Sequence, residues 1–176
     1  MPSHTFLFGT DIMTVYIKQL TMSTTTITTE LVEVLNDLIQ INYDRIEGYR
    51  KAAEESKDVD IALHRLFQQK ADESRLNVSS LVEHVKRMGG QAERGSTNIG
   101  KIYRAWMDVK ATFTGKDKTT ILSSCEYGED QAQKAYAEAL SGNDIDSETR
   151  ELISGQKLAL KESHDLIKEL RDAGKK

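Results

Sequence analysis

The stretch Cys125-Glu-Tyr-Gly-Glu-Asp-Gln-Ala-Gln-Lys-Ala-Tyr136 places a carboxylate on a helix face that should be apolar. Side chains three and four residues apart share one face of an α-helix, so the inward positions can be counted from Tyr136. The predicted inward face consists of Ile121 or Leu122, Cys125, Glu129, Ala132, Tyr136 and Ala139 or Leu140. Glu129 is the exception in this stripe. The stretch therefore predicts a core helix that buries an acidic group.

The composition around this stretch favours a single all-helical domain. The chain has 176 residues, and its one proline is Pro2, so no proline interrupts a helix beyond that point. The lone Cys125 cannot form an internal disulfide, which favours a reducing cytoplasm. The net charge of -4 comes from mixed acids and bases, which argues against nucleic acid or an anionic membrane as partner. No apolar run approaches the roughly 20 residues of a membrane span.

Four long helices are predicted from the capping residues and the apolar periodicity. The first begins near Thr28 or Thr29 and ends around residues 55–57, and the others cover about 59–88, 117–141 and 146–172. Their connections are short, long and short, which is the order of a ferritin-like four-helix bundle with one crossover. The crossover would be residues 89–116, carrying a short extra helix at 102–113. Residues 1–27 are predicted to form a poorly ordered tail, and residues 28–173 a single domain.

Polar residues interrupt the inward stripes of all four helices at similar heights. On the second and fourth helices the pattern leaves Ser74 or Arg75, and Ser163 or His164, as open alternatives. The buried polar layer predicted from these interruptions consists of Asn42, Arg45, Asp72, Arg75, Glu129, Lys161 and His164.

This layer can be compared with the ligands of di-iron carboxylate bundles, which are one Glu from each of two helices and a Glu-x-x-His pair from each of the others. Glu129 and His164 match that template, and Asp72 is a shorter acid in a Glu position. The remaining positions hold Asn42, Arg75 and Lys161, and an arginine or lysine cannot coordinate a cation. We therefore predict no metal and no other cofactor, with the acids paired to the bases in a buried charge cluster. A single iron or manganese held by Glu129, Asp72 and His164 is the alternative.

Other candidate groups form no catalytic pattern. His64 and His84 are 20 residues apart and are predicted to lie at the surface or rim, while Cys125 is predicted to be inert packing. No phosphate-binding glycine loop and no nucleophile motif is present in the sequence.

Several segments resemble a known family. They are Leu35-Asn-Asp-Leu38, Asp44-Arg-Ile-Glu-Gly-Tyr49, Arg104-Ala-Trp-Met-Asp108, Thr114-Gly-Lys-Asp117, Cys125-Glu-Tyr-Gly-Glu-Asp130 and Lys134-Ala-Tyr136. Over residues 29–172 the chain resembles the bacterial ferritin-like four-helix-bundle family catalogued only as a domain of unknown function. The resemblance implies the bundle fold and no established activity, and family members characteristically lack the full metal-ligand set. Tyr127 stands where family sequences usually carry arginine.

Three functions remain open at this point. The prediction is a non-catalytic, stress-related or interaction protein that forms a homo-oligomer, most simply a dimer, and whose charged layer aligns the helices. The alternatives are a metal-binding ferritin-like protein or oxidase, and a module that binds a small ligand or a partner helix beside the polar layer. Arg75 and Lys161 discriminate between them, because a metal site requires both side chains to point outward.

Overall fold

The computed structural model describes residues 9–92, 117–142 and 145–174. All regular structure in these ranges is helical, as the sequence predicted. The helices are α1 (Gly9–Ser56), α2 (Ile61–Arg87), α3 (Lys118–Leu140) and α4 (Ser147–Ala173). None of these helices is both long and apolar enough to cross a membrane. The predicted short helix at 102–113 lies outside the described residues.

The first helix is much longer than the sequence predicted. It begins at Gly9, so the predicted start near Thr28 or Thr29 is wrong. Thr28 and Thr29 suit a helix cap, but no proline follows Pro2, and threonine lowers helix propensity without breaking a helix. Side chains 13–19 on this extension are exposed, including those of Met13, Val15 and Tyr16. The division into a tail of residues 1–27 and a domain of residues 28–173 stays a prediction.

The other helix boundaries follow capping chemistry. The carboxylate of Asp60 accepts hydrogen bonds from the backbone N–H groups of Ala62 and Leu63, at 2.9 and 3.1 Å. Asp117 and Asp146 cap α3 and α4 in the same way. Beyond the end of α2, Gly89 has a φ of 77°, a left-handed conformation that favours glycine. The starts of α2, α3 and α4 lie within about two residues of the predicted ones, which is the usual uncertainty for a helix end.

Among the four described helices, every pair in contact is antiparallel. Along each pair, residue numbers rise on one helix as they fall on the other. The contacts that show this are Arg45–Ser74 and Ala53–His64 between α1 and α2, Asn42–Tyr136 and Tyr49–Glu129 between α1 and α3, and Asn77–Gln156 and His84–Thr149 between α2 and α4. In the described part of the chain, α1 packs on α2 and α3, and α4 packs on the same two helices. Consequently α1 and α4 lie diagonally opposite and run parallel to each other.

Two apolar clusters stack along the bundle with polar groups between them. One cluster includes Leu35, Leu81, Tyr136 and Ile153. The other is formed by Tyr49, Ala52, Ala53, Leu63, Phe67, Ala71, Ile121, Leu122, Cys125 and Ile167. Arg45, Ser74, Glu129 and Ser163 are buried at the heights between the clusters. The predicted polar layer at mid-height therefore exists, although its membership differs from the prediction.

Candidate functional site: a buried ion pair and tyrosine network

Glu129 is held by two groups from α1. The Nη2 atom of Arg45 donates to Glu129 Oε1 at 2.6 Å, and the hydroxyl of Tyr49 donates to the same oxygen. Arg45 and Glu129 are each 1 % exposed, so the ion pair is removed from water. Arg45 and Tyr49 are four residues apart and therefore share one face of α1. The acidic group in the stretch 125–136 is thus a paired carboxylate.

The electrostatics of this pair fix the protonation of its donors. Burial lowers the pKa of Arg45, but the charge of Glu129, the hydrogen bond to it and the nearby Tyr49 and Tyr136 together outweigh burial, and the net pKa lies above its usual value. Burial, followed by the charge of Glu129, raises the pKa of Tyr49 well above its ordinary value. Arg45 therefore stays cationic and Tyr49 stays a neutral hydrogen-bond donor at ordinary pH.

A second set of hydrogen bonds is centred on Tyr136. Its hydroxyl accepts from Asn42 Nδ2 at 2.7 Å and donates to Gln156 Oε1 at 2.6 Å. Burial raises the pKa of Tyr136 to about 12, so the hydroxyl keeps its proton. Asn77 donates to Asn42 Oδ1 at 3.2 Å, and its carbonyl oxygen accepts from Gln156 Nε2 at 3.3 Å. These bonds join all four helices.

The two sets are related by the antiparallel packing of α1 and α3. Asn42 precedes Tyr49 by seven residues, as Glu129 precedes Tyr136. Because the helices run in opposite directions, the Asn42 side chain meets Tyr136 and the Tyr49 side chain meets Glu129. This reciprocal arrangement corresponds to the repeated seven-residue spacing in the sequence, which a duplicated helical hairpin would produce.

Arg45 also contacts α2. Its Nη1 atom donates to Ser74 Oγ at 2.8 Å, and that hydroxyl donates to the Lys70 carbonyl oxygen at 2.8 Å. Two atoms of the ion pair, Arg45 Nε and Glu129 Oε2, are buried without a hydrogen-bond partner among the described residues. Such atoms are uncommon in proteins, and they mark a place where a further polar group would be favourable.

Three of the predicted layer residues form this site, and four do not. Asn42, Arg45 and Glu129 are buried as predicted. Asp72 and Arg75 are exposed on α2 and pair with each other, and Lys161 is exposed on α4 and pairs with Asp165. The prediction that these three residues lie in the buried layer is wrong. His164 is 18 % exposed, with its Nε2 atom 3.1 Å from Asp130 Oδ1 and its Nδ1 atom 3.0 Å from Asp165 Oδ1.

The error is a shift of one residue along α2 and of one residue along α4. Asp72 and Arg75 follow directly after the buried Ala71 and Ser74. On α4, Lys161 and His164 follow Leu160 and Ser163 in the same way. One residue corresponds to a rotation of about 100° around the helix, so the charged side chains leave the core. The alternatives left open in the sequence are therefore resolved in favour of Ser74 and Ser163.

Sequence reasoning missed several members of the network. Helical spacing predicts inward positions for Tyr49, Tyr136 and Gln156 but no polar role for them, and it does not single out Asn77. The available signal was the tyrosine that follows each buried polar residue by seven. His84, predicted to lie at the surface or rim, is 3 % exposed, and its Nε2 atom is 2.6 Å from the Thr149 hydroxyl.

The side chains present do not fit a di-metal centre. Within residues 9–92, 117–142 and 145–174, no three His, Cys, Asp or Glu side chains are grouped as metal ligands. Glu129 Oε1 already accepts from Arg45 and Tyr49, and a guanidinium offers a cation no lone pair. Arg75 and Lys161 point outward, which removes one objection to a metal, but Asp72 points outward with them.

The family comparison matches residues 30–142 to a domain of unknown function (DUF2383). The chain belongs to the DUF2383 family. The DUF2383 match includes Asn42, Arg45, Tyr49, Glu129 and Tyr136 and ends before α4 begins. It covers all of the network described above except Gln156. No curated protein matches the sequence.

Asp44 is a second buried carboxylate and provides a pH-dependent prediction. Burial, followed by repulsion from Glu47, raises the pKa of Asp44 from 3.8 to about 6. Within the part of the chain that the structure describes, its Oδ1 atom has no hydrogen-bond partner. A raised folded-state pKa contributes stability below the unfolded value and loses it as the pH rises through about 6. We expect Asp44→Asn to stabilise the protein by on the order of 1 to 2 kcal/mol above that pH.

Urea denaturation at several pH values measures this effect. The gap between Asp44→Asn and the unmodified protein should close as the pH falls from about 6 towards 4. Asp58→Asn, at an exposed acid, is the control and should show no such gap. A stability gain for Asp44→Asn that does not depend on pH would contradict the prediction.

Proposed function

We propose that the protein is a non-catalytic ferritin-like bundle that acts as an interaction protein, as a homodimer in a bacterial cytoplasm. In this proposal the buried ion pair stands where related bundles hold metal ligands. The protein's role is then to present helical surfaces on a bundle whose core needs no metal.

The order of the helices supports the ferritin-like part of this proposal. Two antiparallel hairpins, α1–α2 and α3–α4, are joined by one long connection, and α1 and α4 lie parallel across a diagonal. A bundle with a single long crossover has this arrangement.

The observation that carries the proposal is the neutralised state of Glu129. A metal centre needs carboxylates whose charge is not already balanced by a neighbouring cation, and a catalytic acid needs a proton it can transfer. Glu129 instead lies 2.6 Å from a guanidinium that keeps its proton, and it accepts a second hydrogen bond from Tyr49. Its chemistry is therefore that of a structural ion pair.

Elemental analysis tests the proposal. Protein purified after growth with added iron and manganese should contain no more of either metal than a mock preparation from cells lacking the protein. Arg45→Met, which frees Glu129 of its cation, is the informative variant: metal retained by this variant alone would support exclusion by the guanidinium. Stoichiometric metal in the unmodified protein would overturn the proposal.

Light scattering of the protein as it elutes from a size-exclusion column tests the proposed dimer separately. A mass of two chains is expected, and a mass of one chain would contradict this part of the proposal without affecting the metal result.

A further inference from the structure

Exposed apolar side chains are grouped on the first part of α1, before the bundle core begins. Met13, Val15, Tyr16 and Ile17 are 65, 59, 67 and 55 % exposed. Among the α1 side chains that the structure describes, the first buried one is Leu31. Proteins rarely leave several large apolar side chains together in water unless the surface binds something. The extension is therefore a candidate interaction surface.

Apolar residues on this part of α1 repeat with the heptad period of a coiled coil. Steps of four and three residues back from the buried Leu38 select Val34, Leu31, Ile27, Thr24, Leu20, Ile17 and Met13. Together with Leu38 they form a heptad seam in which Thr24 is the one polar residue. A 3.5-residue period sustained over more than three heptads is typical of a helix that packs lengthwise on another helix. The seam fills the bundle core at Leu31 and Leu38, and its period continues in the sequence of the extension.

The composition beside the seam favours a helical partner of the same sequence. Between residues 13 and 28 the flanking e and g positions of the heptad are uncharged: Thr14, Tyr16, Thr21, Ser23 and Thr28. Charges at these positions normally select a coiled-coil partner of different sequence, and like charges there repel an identical one. A second copy of this chain meets neither constraint, and it presents a seam of the same period.

A membrane surface fits the extension less well. A helix that lies on anionic lipid ordinarily carries several lysine or arginine residues on its polar face. Residues 9–28 contain one basic residue, Lys18, together with the acidic Asp11. The charge of this segment is therefore balanced, and the seam is the feature that defines its partner.

The ends of the seam determine the direction of pairing. Leu31 and Leu38 are 8 % and 1 % exposed, so the chain's own core already covers the seam there and a partner helix cannot follow it further. A parallel partner would place both bundles at the same end of the paired segment, with the two α1 axes only about 10 Å apart. Antiparallel pairing places the bundles at opposite ends of a segment about 30 Å long.

We infer that residues 9–28 of α1 pair antiparallel with the same residues of a second copy of the chain, through the heptad seam. This inference rests on the proposed homodimer and assigns its contact surface. The paired segment is short, so its interface lies at the small end for stable complexes, and we expect a dimer Kd on the order of 1 to 10 μM.

Ile17→Glu and Val15→Glu are a matched pair of variants, and sedimentation velocity of the full chain is the measurement. Ile17 belongs to the seam, whereas Val15 is two residues away, on the opposite side of α1, and is similarly exposed. Ile17→Glu places a carboxylate from each chain in the interface and should raise the dimer Kd at least about a hundredfold. Val15→Glu should leave the Kd unchanged. Both variants should keep the cooperative unfolding of the bundle in urea, because neither changes a buried side chain.

Distances between spin labels test the direction of pairing without a change in the seam. Labels attached at Val15→Cys should lie within about 30 Å of each other, and labels at Glu54→Cys, near the other end of α1, should be about 100 Å apart. The native Cys125 is buried and should not be labelled. Labels that lie close together at both positions would indicate parallel pairing and overturn the inference.

The outcomes separate this inference from the proposed dimer. If the unmodified protein is a monomer at chain concentrations well above the expected Kd, both fail. If it is a dimer and Ile17→Glu remains one, the proposed dimer stands and the seam is not its interface. Equal dissociation of Ile17→Glu and Val15→Glu would also overturn the assignment to the seam.

Discussion

Arg45→Met is expected to lower the free energy of unfolding by about 3 to 5 kcal/mol, because it leaves Glu129 buried without its counter-ion. Glu129 is 1 % exposed and cannot recover hydration without opening the bundle. The Tyr49 hydrogen bond remains, but one neutral donor does not replace a cation. Urea denaturation followed by circular dichroism at neutral pH measures the change.

A double-mutant cycle separates the ion pair from simple loss of packing. Glu129→Gln alone should also destabilise, since it leaves the guanidinium buried and unpaired. The combination of Arg45→Met with Glu129→Gln should recover much of the loss, because neither charge is then present. Additive losses in the double variant would contradict a coupled pair.

The exposed pair Arg75–Asp72 is the matched control for this cycle. It has the same chemistry at three-residue spacing on α2, with side chains 48 % and 70 % exposed. Arg75→Met should change stability by less than about 1 kcal/mol, as for other surface ion pairs. A loss comparable to that of Arg45→Met would place Arg75 back in the core, as the sequence had predicted.

Tyr136→Phe is expected to lower the free energy of unfolding by about 2 to 3 kcal/mol, with no change in apolar volume. The hydroxyl accepts from Asn42 and donates to Gln156, and both partners are buried. Removing it leaves Gln156 Oε1 without this donor, while Asn42 Nδ2 keeps only the Leu38 carbonyl at 2.8 Å. Each buried polar group that loses its partner costs about 1 to 3 kcal/mol.

Tyr127→Phe on the same helix is the control for Tyr136→Phe. Tyr127 is 40 % exposed, so water can replace its hydroxyl as a hydrogen-bond partner, and little change in stability is expected. Equal stability losses for the two variants, measured by urea denaturation, would show that the Tyr136 hydroxyl has no special role.

The fold could be predicted because it depends on periodic apolar patterns. The inward stripe through Cys125, Glu129, Ala132 and Tyr136 is buried as predicted. The capping acids Asp117 and Asp146 set helix starts close to the predicted ones. These signals are local, and burial of an amphipathic face follows directly from them.

The site was only partly predictable, because the rotation of each helix about its own axis determines which side chains meet there. On α2 and α4 the di-iron ligand template favours the charged residue over the serine beside it. Burial instead favours the serine, since Ser74 can accept a hydrogen bond from Arg45 in the core while the Arg75 charge remains in water. The roles of Gln156 and Asn77 depend on contacts 79 residues apart in sequence, which helical periodicity cannot supply.

The length of α1 has a consequence for how its first part stays helical. α1 has 48 residues and is about 72 Å long, whereas the 23 residues of α3 span about 35 Å. Starting a helix is the costly step, and adding residues to an existing one is nearly free. The packed turns from Leu31 onward therefore supply the nucleus from which residues 9–28 continue, although this segment is rich in threonine. When the bundle unfolds, that nucleus is lost, and the extension unwinds with it.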